Sequence, residues 1–377
     1  MNTHKTKKEQ NIYNESVPSN AIDLLEQILD SCVKKHASDI HIDPKEEGIL
    51  VRVRRDGIMG DLLRIPISVH EELISRLKII SGTRTDLHDV PQDGRFNIEI
   101  NKELFSVRIS FMPTFYGENA VLRLLPMKAR YTTSFAKLGF CIEHVSVIDK
   151  ILRYSFGMIL VAGPTGSGKT TTLHTCLQEK AKEKISVIAL EDPIEYEMPD
   201  VRQIQVRQNH GVTFANVLRS VLRQDPDVIM VGEIRDVETA QLAIHTALTG
   251  HLVFSTIHTN SAIETLTRLI DMKIDSYILS STLRLIVSQR LVRTICANCA
   301  HQGCEVCNMT GYGSRSVIAE VLEIDEEMRA MISKGAASHE LVDYLHKKGW
   351  RNIEDDAKEK IEWGITTKGE VQRVLNY

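Results

Sequence analysis

Apolar residues recur along this chain with two rhythms, and the change between them divides it. From Ala21, the positions Ile22, Leu25, Ile28, Leu29 and Cys32 fall at helical spacing. Over 37–43, Ile40 and Ile42 alternate with Asp39 and His41, as on a half-buried strand. Leu50, Val51 and Val53 alternate with Arg52 and Arg54, and Asp56-Gly57 signals a turn. A helix is predicted around 71–80. Strands are predicted at 96–100 and 105–111, separated by the Asn101-Lys102 turn, and at 120–125, where Pro126 ends the run. Residues 21–126 therefore predict a small α+β domain behind a polar, flexible leader, 1–20.

Residues 127–140 have no clear period and read as an interdomain linker. Four short apolar runs follow, at 158–162, 187–190, 228–231 and 252–256. They are rich in β-branched residues and nearly free of alternation, as for strands covered on both faces. Helical patterns lie between them. That order predicts an α/β domain over 141–295, with a parallel sheet covered by helices. A cysteine-rich loop, 296–312, comes next. Residues 313–377 are polar and charged and read as a helical C-terminal subdomain.

The length of 377 residues agrees with two domains plus appendages. With 42% hydrophobic and 25% charged residues the composition is that of a globular protein, and the formal net charge of -4 argues against a nucleic-acid partner. No stretch approaches the ~18 consecutive apolar residues of a membrane span. The Lys-rich start, 1–10, has no apolar core behind it and does not read as a secretory signal. A cytosolic location with reduced cysteines is expected. Of the seven cysteines, Cys32, Cys141 and Cys176 lie among apolar residues and read as core fillers.

Candidate chemistry starts at Gly163-Pro164-Thr165-Gly166-Ser167-Gly168-Lys169-Thr170, a full phosphate-binding loop. A buried strand leads in, and a helix from Lys169 to about Ala181 leads out. Backbone N–H groups and the helix N-terminus would cradle the phosphates. Lys169 would bridge the β- and γ-phosphates of ATP, and Thr170 would hold Mg²⁺. Thr171 completes the expected nucleotide-binding set. Ligands of such sheets bind beyond the carboxyl ends of the strands, and three runs end there in ionisable residues. Glu191 and Asp192 follow the second, Gly232 and Glu233 the third, Ile257 and His258 the fourth. Glu233 is the candidate to orient or deprotonate the attacking water. Glu191 would share that work or reach Mg²⁺ through water, and His258 would sense the γ-phosphate. The alternative for the acids is helix capping or solvation, and for His251 a plain hydrogen-bonded role.

The loop at 163–170, Leu190-Glu-Asp-Pro-Ile-Glu-Tyr196, the stretch 223–236 and the stretch 249–260 together resemble the Walker A, Asp box, Walker B and His box of the secretion ATPase superfamily. The branch they resemble is that of type II secretion and type IV pilus assembly ATPases. Ala37-Ser-Asp-Ile-His-Ile-Asp43, Pro91-Gln-Asp-Gly-Arg95 and the stretch 116–125 agree, and the match runs from about Ala21 to Leu322. The resemblance implies a RecA-like motor domain preceded by a PAS-like α+β domain. It also implies a homo-hexameric ring on the cytoplasmic face of the inner membrane, attached through a membrane platform protein. By motif position Arg108 and Arg123 of the first domain are its arginine fingers, worth ~10³–10⁵-fold in rate; surface ion pairs are the alternative for them. Arg235 is a weaker candidate of the same kind. About twenty residues precede the first domain, so the chain resembles the short members, such as competence-pilus ATPases.

Cys296-x-x-Cys299 and Cys304-x-x-Cys307 have the spacing of a four-thiolate zinc site, with four free thiols as the alternative. In the family the assembly branch carries such pairs and retraction-type members generally lack them. The cluster therefore argues for assembly over retraction. Two other classes fit the sequence less well. A nucleic-acid translocase on a RecA-like core is disfavoured by the charge balance, and a non-hydrolysing scaffold by the presence of Lys169 and Glu233.

Overall fold

The computed structural model describes residues 20–127, 134–207 and 211–375, and the chain divides into two compact units, 1–129 and 130–377. The leader 1–19 lies outside the described residues.

Unit 1 is built from helix α1 (Ala21–Lys34), strands β1 (Asp39–Lys45), β2 (Gly48–Arg55) and β3 (Ile58–Ile65), helix α2 (His70–Ser81), and strands β4 (Gln92–Ile100), β5 (Glu103–Thr114) and β6 (Gly117–Pro126). The six strands form one antiparallel sheet in the order β3-β2-β1-β6-β5-β4. Alternate residues of the central strands, among them Ile40, Ile42, Val51, Val107, Ile109, Ala120 and Leu122, pack with Leu24, Ile28, Leu73 and Leu77 of the two helices. Strand β3 was not anticipated from sequence. Its residues are mostly partly exposed, so it carries no apolar rhythm.

The register sets four ionisable residues side by side on the opposite face of that sheet. Arg95 faces Arg108 across β4–β5, Arg108 faces Arg123 across β5–β6, and Arg123 faces Asp39 across β6–β1. Like charges directly opposite one another destabilise a sheet. Here the Asp39 carboxylate accepts from Arg123 Nε at 2.8 Å.

Unit 2 opens with α3 (Phe135–Leu138) and α4 (Ile142–Leu152). The linker expected over 127–140 is thus shorter. Phe135 and Phe140 are buried in edge-to-face contact at 6.1 Å, so ordered packing begins by Phe135. Then come β7 (Gly157–Ala162), α5 (Lys169–Ala181), β8 (Val187–Glu191), β9 (Arg202–Gln205), α6 (Phe214–Val221), β10 (Val228–Val231), α7 (Val237–Leu248), β11 (Leu252–Ile257), α8 (Ala262–Asp271) and α9 (Ser276–Thr282). The chain continues through β12 (Leu283–Ile295), β13 (Tyr312–Glu323), α10 (Glu326–Ser333), α11 (Ser338–Lys347), α12 (Ile353–Glu362) and α13 (Lys368–Leu375). One seven-stranded sheet runs β13-β12-β7-β11-β10-β8-β9, parallel except for the antiparallel edge strand β13. The four predicted apolar runs are its centre, buried throughout as parallel strands require.

The C-terminal boundary needs correction. Residues 313–323 are not helical; they belong to β13 and complete the same sheet, so the helical region begins at α10. Glu320 breaks the apolar run of β13, which obscured the strand. Its buried carboxylate accepts the first backbone N–H groups of two helices, from Ala262 at 2.5 Å and Ile353 at 3.3 Å. The positive ends of α8 and α12 thereby satisfy a charge inside the fold.

Candidate nucleotide-hydrolysis site

The phosphate loop lies between β7 and α5, at the carboxyl edge of the unit 2 sheet. Gly163 closes tightly at φ +146; a Cβ there would come within 2.5 Å of Ser167 Oγ and 2.6 Å of the Gln289 carbonyl. Only glycine fits that approach. Lys169 Nζ donates to the carbonyls of Gly163 and Pro164 at 2.8 and 2.9 Å, folding back over the loop. Ser167 Oγ is buried with no hydrogen-bond partner among the described residues. A loop whose lysine is satisfied only by its own backbone, beside an unused hydroxyl, suits an incoming phosphate. Thr170 and Thr171 open α5 in its first turn, where Mg²⁺ and phosphate oxygens would be met.

A second support for this loop comes from β12, which the sequence reading did not single out. Gln289 Nε2 donates to the Ser167 carbonyl at 2.7 Å, and its Oε1 accepts from Thr172 Oγ1 at 2.8 Å. One buried amide therefore pins both the loop and the helix behind it. The neighbouring Arg290 donates to the Asn260 carbonyl at 3.2 Å, tying β12 to the end of the His box. A buried Gln-Arg pair inside an apolar strand was the available signal.

Burial, assisted by Arg290 and opposed by Glu233, pushes the Lys169 ammonium down to about 8. Triphosphate beside it favours the charged form and raises that value again. Nucleotide binding near pH 9 should consequently take up a proton, while at pH 7 Lys169 is already charged and adds none. Calorimetry in two buffers of different ionisation enthalpy reads this directly; equal heats in both at pH 9 would refute it.

Glu233 sits just past β10, after Gly232. A side chain at Gly232 would come within 2.9 Å of the Leu190 carbonyl, so no acid fits there and the carboxylate is carried one residue later. Glu233 is 2.7 Å from Arg235 Nη2 and 3.7 Å from His258 Nε2. Burial and the Lys169 charge hold His258 below the ordinary imidazole range, against the pull of Glu233. Lys169, Glu233 and His258 thus act on one another electrostatically at one sheet edge, as strand-end chemistry requires. The strands fix this edge further: Thr256 Oγ1 donates to the Gly232 carbonyl at 2.7 Å.

Glu191 is placed differently. Its side chain is 4% exposed and already engaged, accepting from Gln203 Nε2 at 2.8 Å and lying 3.1 Å from His174 Nε2. His174 in turn meets the Tyr196 hydroxyl. This closed network orders the Asp box. His251 takes the plain role, its Nδ1 lying 3.1 Å from the Thr246 carbonyl. Arg108 and Arg123 lie on unit 1, in the arginine row of its sheet.

The cysteine loop joins β12 to β13 as a long hairpin connection. Its four thiols converge: Cys296–Cys304 3.9 Å, Cys299–Cys307 3.8 Å, Cys304–Cys307 3.7 Å, sulfur to sulfur. A tetrahedron with metal–sulfur bonds of ~2.3 Å has edges of ~3.8 Å, so the short spacer 300–303 brings the thiols to the right separation. Backbone N–H groups of Gly303, Cys304 and Gly311 point at sulfur, each at 3.2 Å. Against burial, those from Cys304 and Gly311 bring Cys307 down to about 6, while burial and the neighbouring thiols push Cys299 up to about 11, so without an ion the negative charge of the cluster rests on Cys307.

Known proteins agree with this geometry. The family model described as Type II/IV secretion system protein matches residues 15–373. Type II secretion system protein HxcR of Pseudomonas aeruginosa is 39% identical over 361 residues, 94% of this chain and 77% of that protein. Type II secretion system protein E of Aeromonas hydrophila is 42% identical over 379 residues, 94% and 75% of the two chains. Among solved structures, the pilus retraction motor PilT with bound ADP superposes with a TM-score of 0.66 at 27% identity, covering 93% of this chain and 96% of that one. The phosphate loop, the acid past β10 and the match across both units lead to one conclusion: this chain belongs to the Type II/IV secretion system protein family and is an ATP hydrolase.

Proposed function

We propose that the chain is a ring motor, a homo-hexamer that couples ATP hydrolysis to assembly of a type IV pilus or a type II secretion pseudopilus. The observation that carries the reading is the division of the catalytic groups. Lys169, Glu233 and His258 gather on unit 2, whereas the arginine row with Arg108 and Arg123 lies on unit 1. Lys169 and the α5 N-terminus would hold the phosphates and Thr170 the Mg²⁺, which neutralises charge on the phosphate oxygens. Glu233 takes a proton from the water that attacks the γ-phosphorus, and ADP and phosphate leave. Arg108 and Arg123 neutralise the charge that develops as the bond breaks. Making hydrolysis depend on a second unit couples chemistry to motion.

The same reading places the ring in the cytoplasm, attached to the inner face of the cell membrane through a polytopic platform protein. No helix among the described residues is long and apolar enough to cross a membrane itself. Specific activity should rise steeply with chain concentration, in step with six-chain particles measured by sedimentation. Activity independent of concentration, from single chains, would overturn the ring.

Zinc is the ion proposed for Cys296, Cys299, Cys304 and Cys307, and the near-tetrahedral sulfur separations support it. The site favours assembly over retraction within the family. Replacing Cys299 and Cys304 by serine should remove one equivalent of zinc per chain, read by elemental analysis. Unchanged zinc content would refute the assignment.

A further inference from the structure

We propose that Cys141, His144 and Asp356 form a second metal site, for a borderline-soft divalent cation of the zinc class, separate from the four-cysteine loop. One ligand atom from each of the three lies within 4.8 Å of the others, and all three residues are buried. Cys141 is 8%, His144 5% and Asp356 0% exposed.

Cys141 immediately precedes α4 and His144 stands in its first turn, so a Cys-x-x-His spacing delivers two donors from one helix start. The third donor comes from the first turn of α12. Two atoms of this cluster are orphaned. His144 Nδ1 and Asp356 Oδ1 are buried and have no hydrogen-bond partner among the described residues. Buried polar atoms are nearly always satisfied. Two unsatisfied polar atoms beside a thiol, from three residues in one small volume, are what a metal ion would satisfy.

The surroundings hold the carboxylate as an outer shell does. Asp356 Oδ2 accepts from the Ala319 N–H at 2.9 Å and from Lys360 Nζ at 2.8 Å, which leaves Oδ1 without a partner and available to an ion. Thiolate, imidazole and carboxylate together select zinc-like ions over calcium or magnesium, which take oxygen ligands alone. Binding releases the Cys141 proton, and water supplies a fourth position. The ion would then cross-link α4, at the entrance of unit 2, to α12 beneath β13.

The test uses the full chain with Cys299→Ser and Cys304→Ser, so that the four-cysteine site no longer contributes. After exhaustive dialysis it should keep about one zinc per chain. Cobalt(II) replacing that zinc should give a thiolate-to-cobalt charge-transfer band. Adding Cys141→Ser should abolish that band and weaken cobalt binding at least tenfold, and His144→Gln should weaken it similarly. A parent chain that retains no zinc and shows no thiolate band overturns the site without reference to any fold change in the variants. A band that persists after Cys141→Ser overturns it equally.

Discussion

Replacing Glu233 by glutamine should lower ATP turnover by roughly 10²–10⁴-fold while nucleotide still binds. That corresponds to about 3–5 kcal/mol on the barrier. Glutamine preserves the size of the side chain and can still accept from Arg235, which holds the carboxylate at 2.7 Å. What it loses is the ability to take a proton from water. The phosphate loop is untouched, because Lys169 is anchored on the carbonyls of Gly163 and Pro164 and the loop is pinned by Gln289. Fluorescent-nucleotide titration should therefore give an affinity near that of the parent, alongside a phosphate-release rate close to background. A variant that hydrolyses ATP at the parental rate would exclude Glu233 as the base.

The Arg108→Ala, Arg123→Ala double variant should lose about 10³–10⁵-fold in turnover within assembled rings, the range over which arginine fingers act. Three guanidinium groups are set in adjacent strands, with Asp39 opposite the last of them, and like charges directly opposite one another cost sheet stability that a bound anion would recover. The Arg123 side chain remains 59% exposed even while Nε holds Asp39. Ring formation and nucleotide binding should survive the substitutions, since neither group belongs to the phosphate loop. Phosphate release from particles verified as hexamers is the measurement. Full activity in those particles would show that the arginine row has only a structural role.

Much of the catalytic centre was legible because its chemistry is local in sequence. The phosphate loop is eight consecutive residues between a buried strand and a helix, and α5 runs over Lys169–Ala181, as the periodicity implies. The acids stand within two residues of the ends of apolar runs. The edge of the same sheet was not legible. Strands β12 and β13 bury Ser288, Gln289, Arg290 and Glu320, so their polar letters imitate an exposed helix face. Each finds a partner far away in sequence, among them Ser167, Asn260 and Ala262. Periodicity cannot register a partner a hundred positions off. Glu191 shows the same limit. Its place after β8 is plain from sequence, but its engagement with His174 and Gln203 depends on a helix and a strand that only folding brings near. Cys141 reads as an apolar filler for the same reason, since Asp356 lies on a helix more than two hundred residues later.

Strand β12 touches two places, one from its middle and one from its end. Gln289 grips the turn around the triphosphate, and seven residues on, roughly 23 Å along an extended backbone, Cys296 anchors the thiol knot. Strand β13 splints most of that stretch, with one register shift between Arg293 and Ile295. Such a member is built like a pushrod: a load on the knot would reach the loop at 163–170 through the paired backbone, with the register shift beside the knot as the place of give.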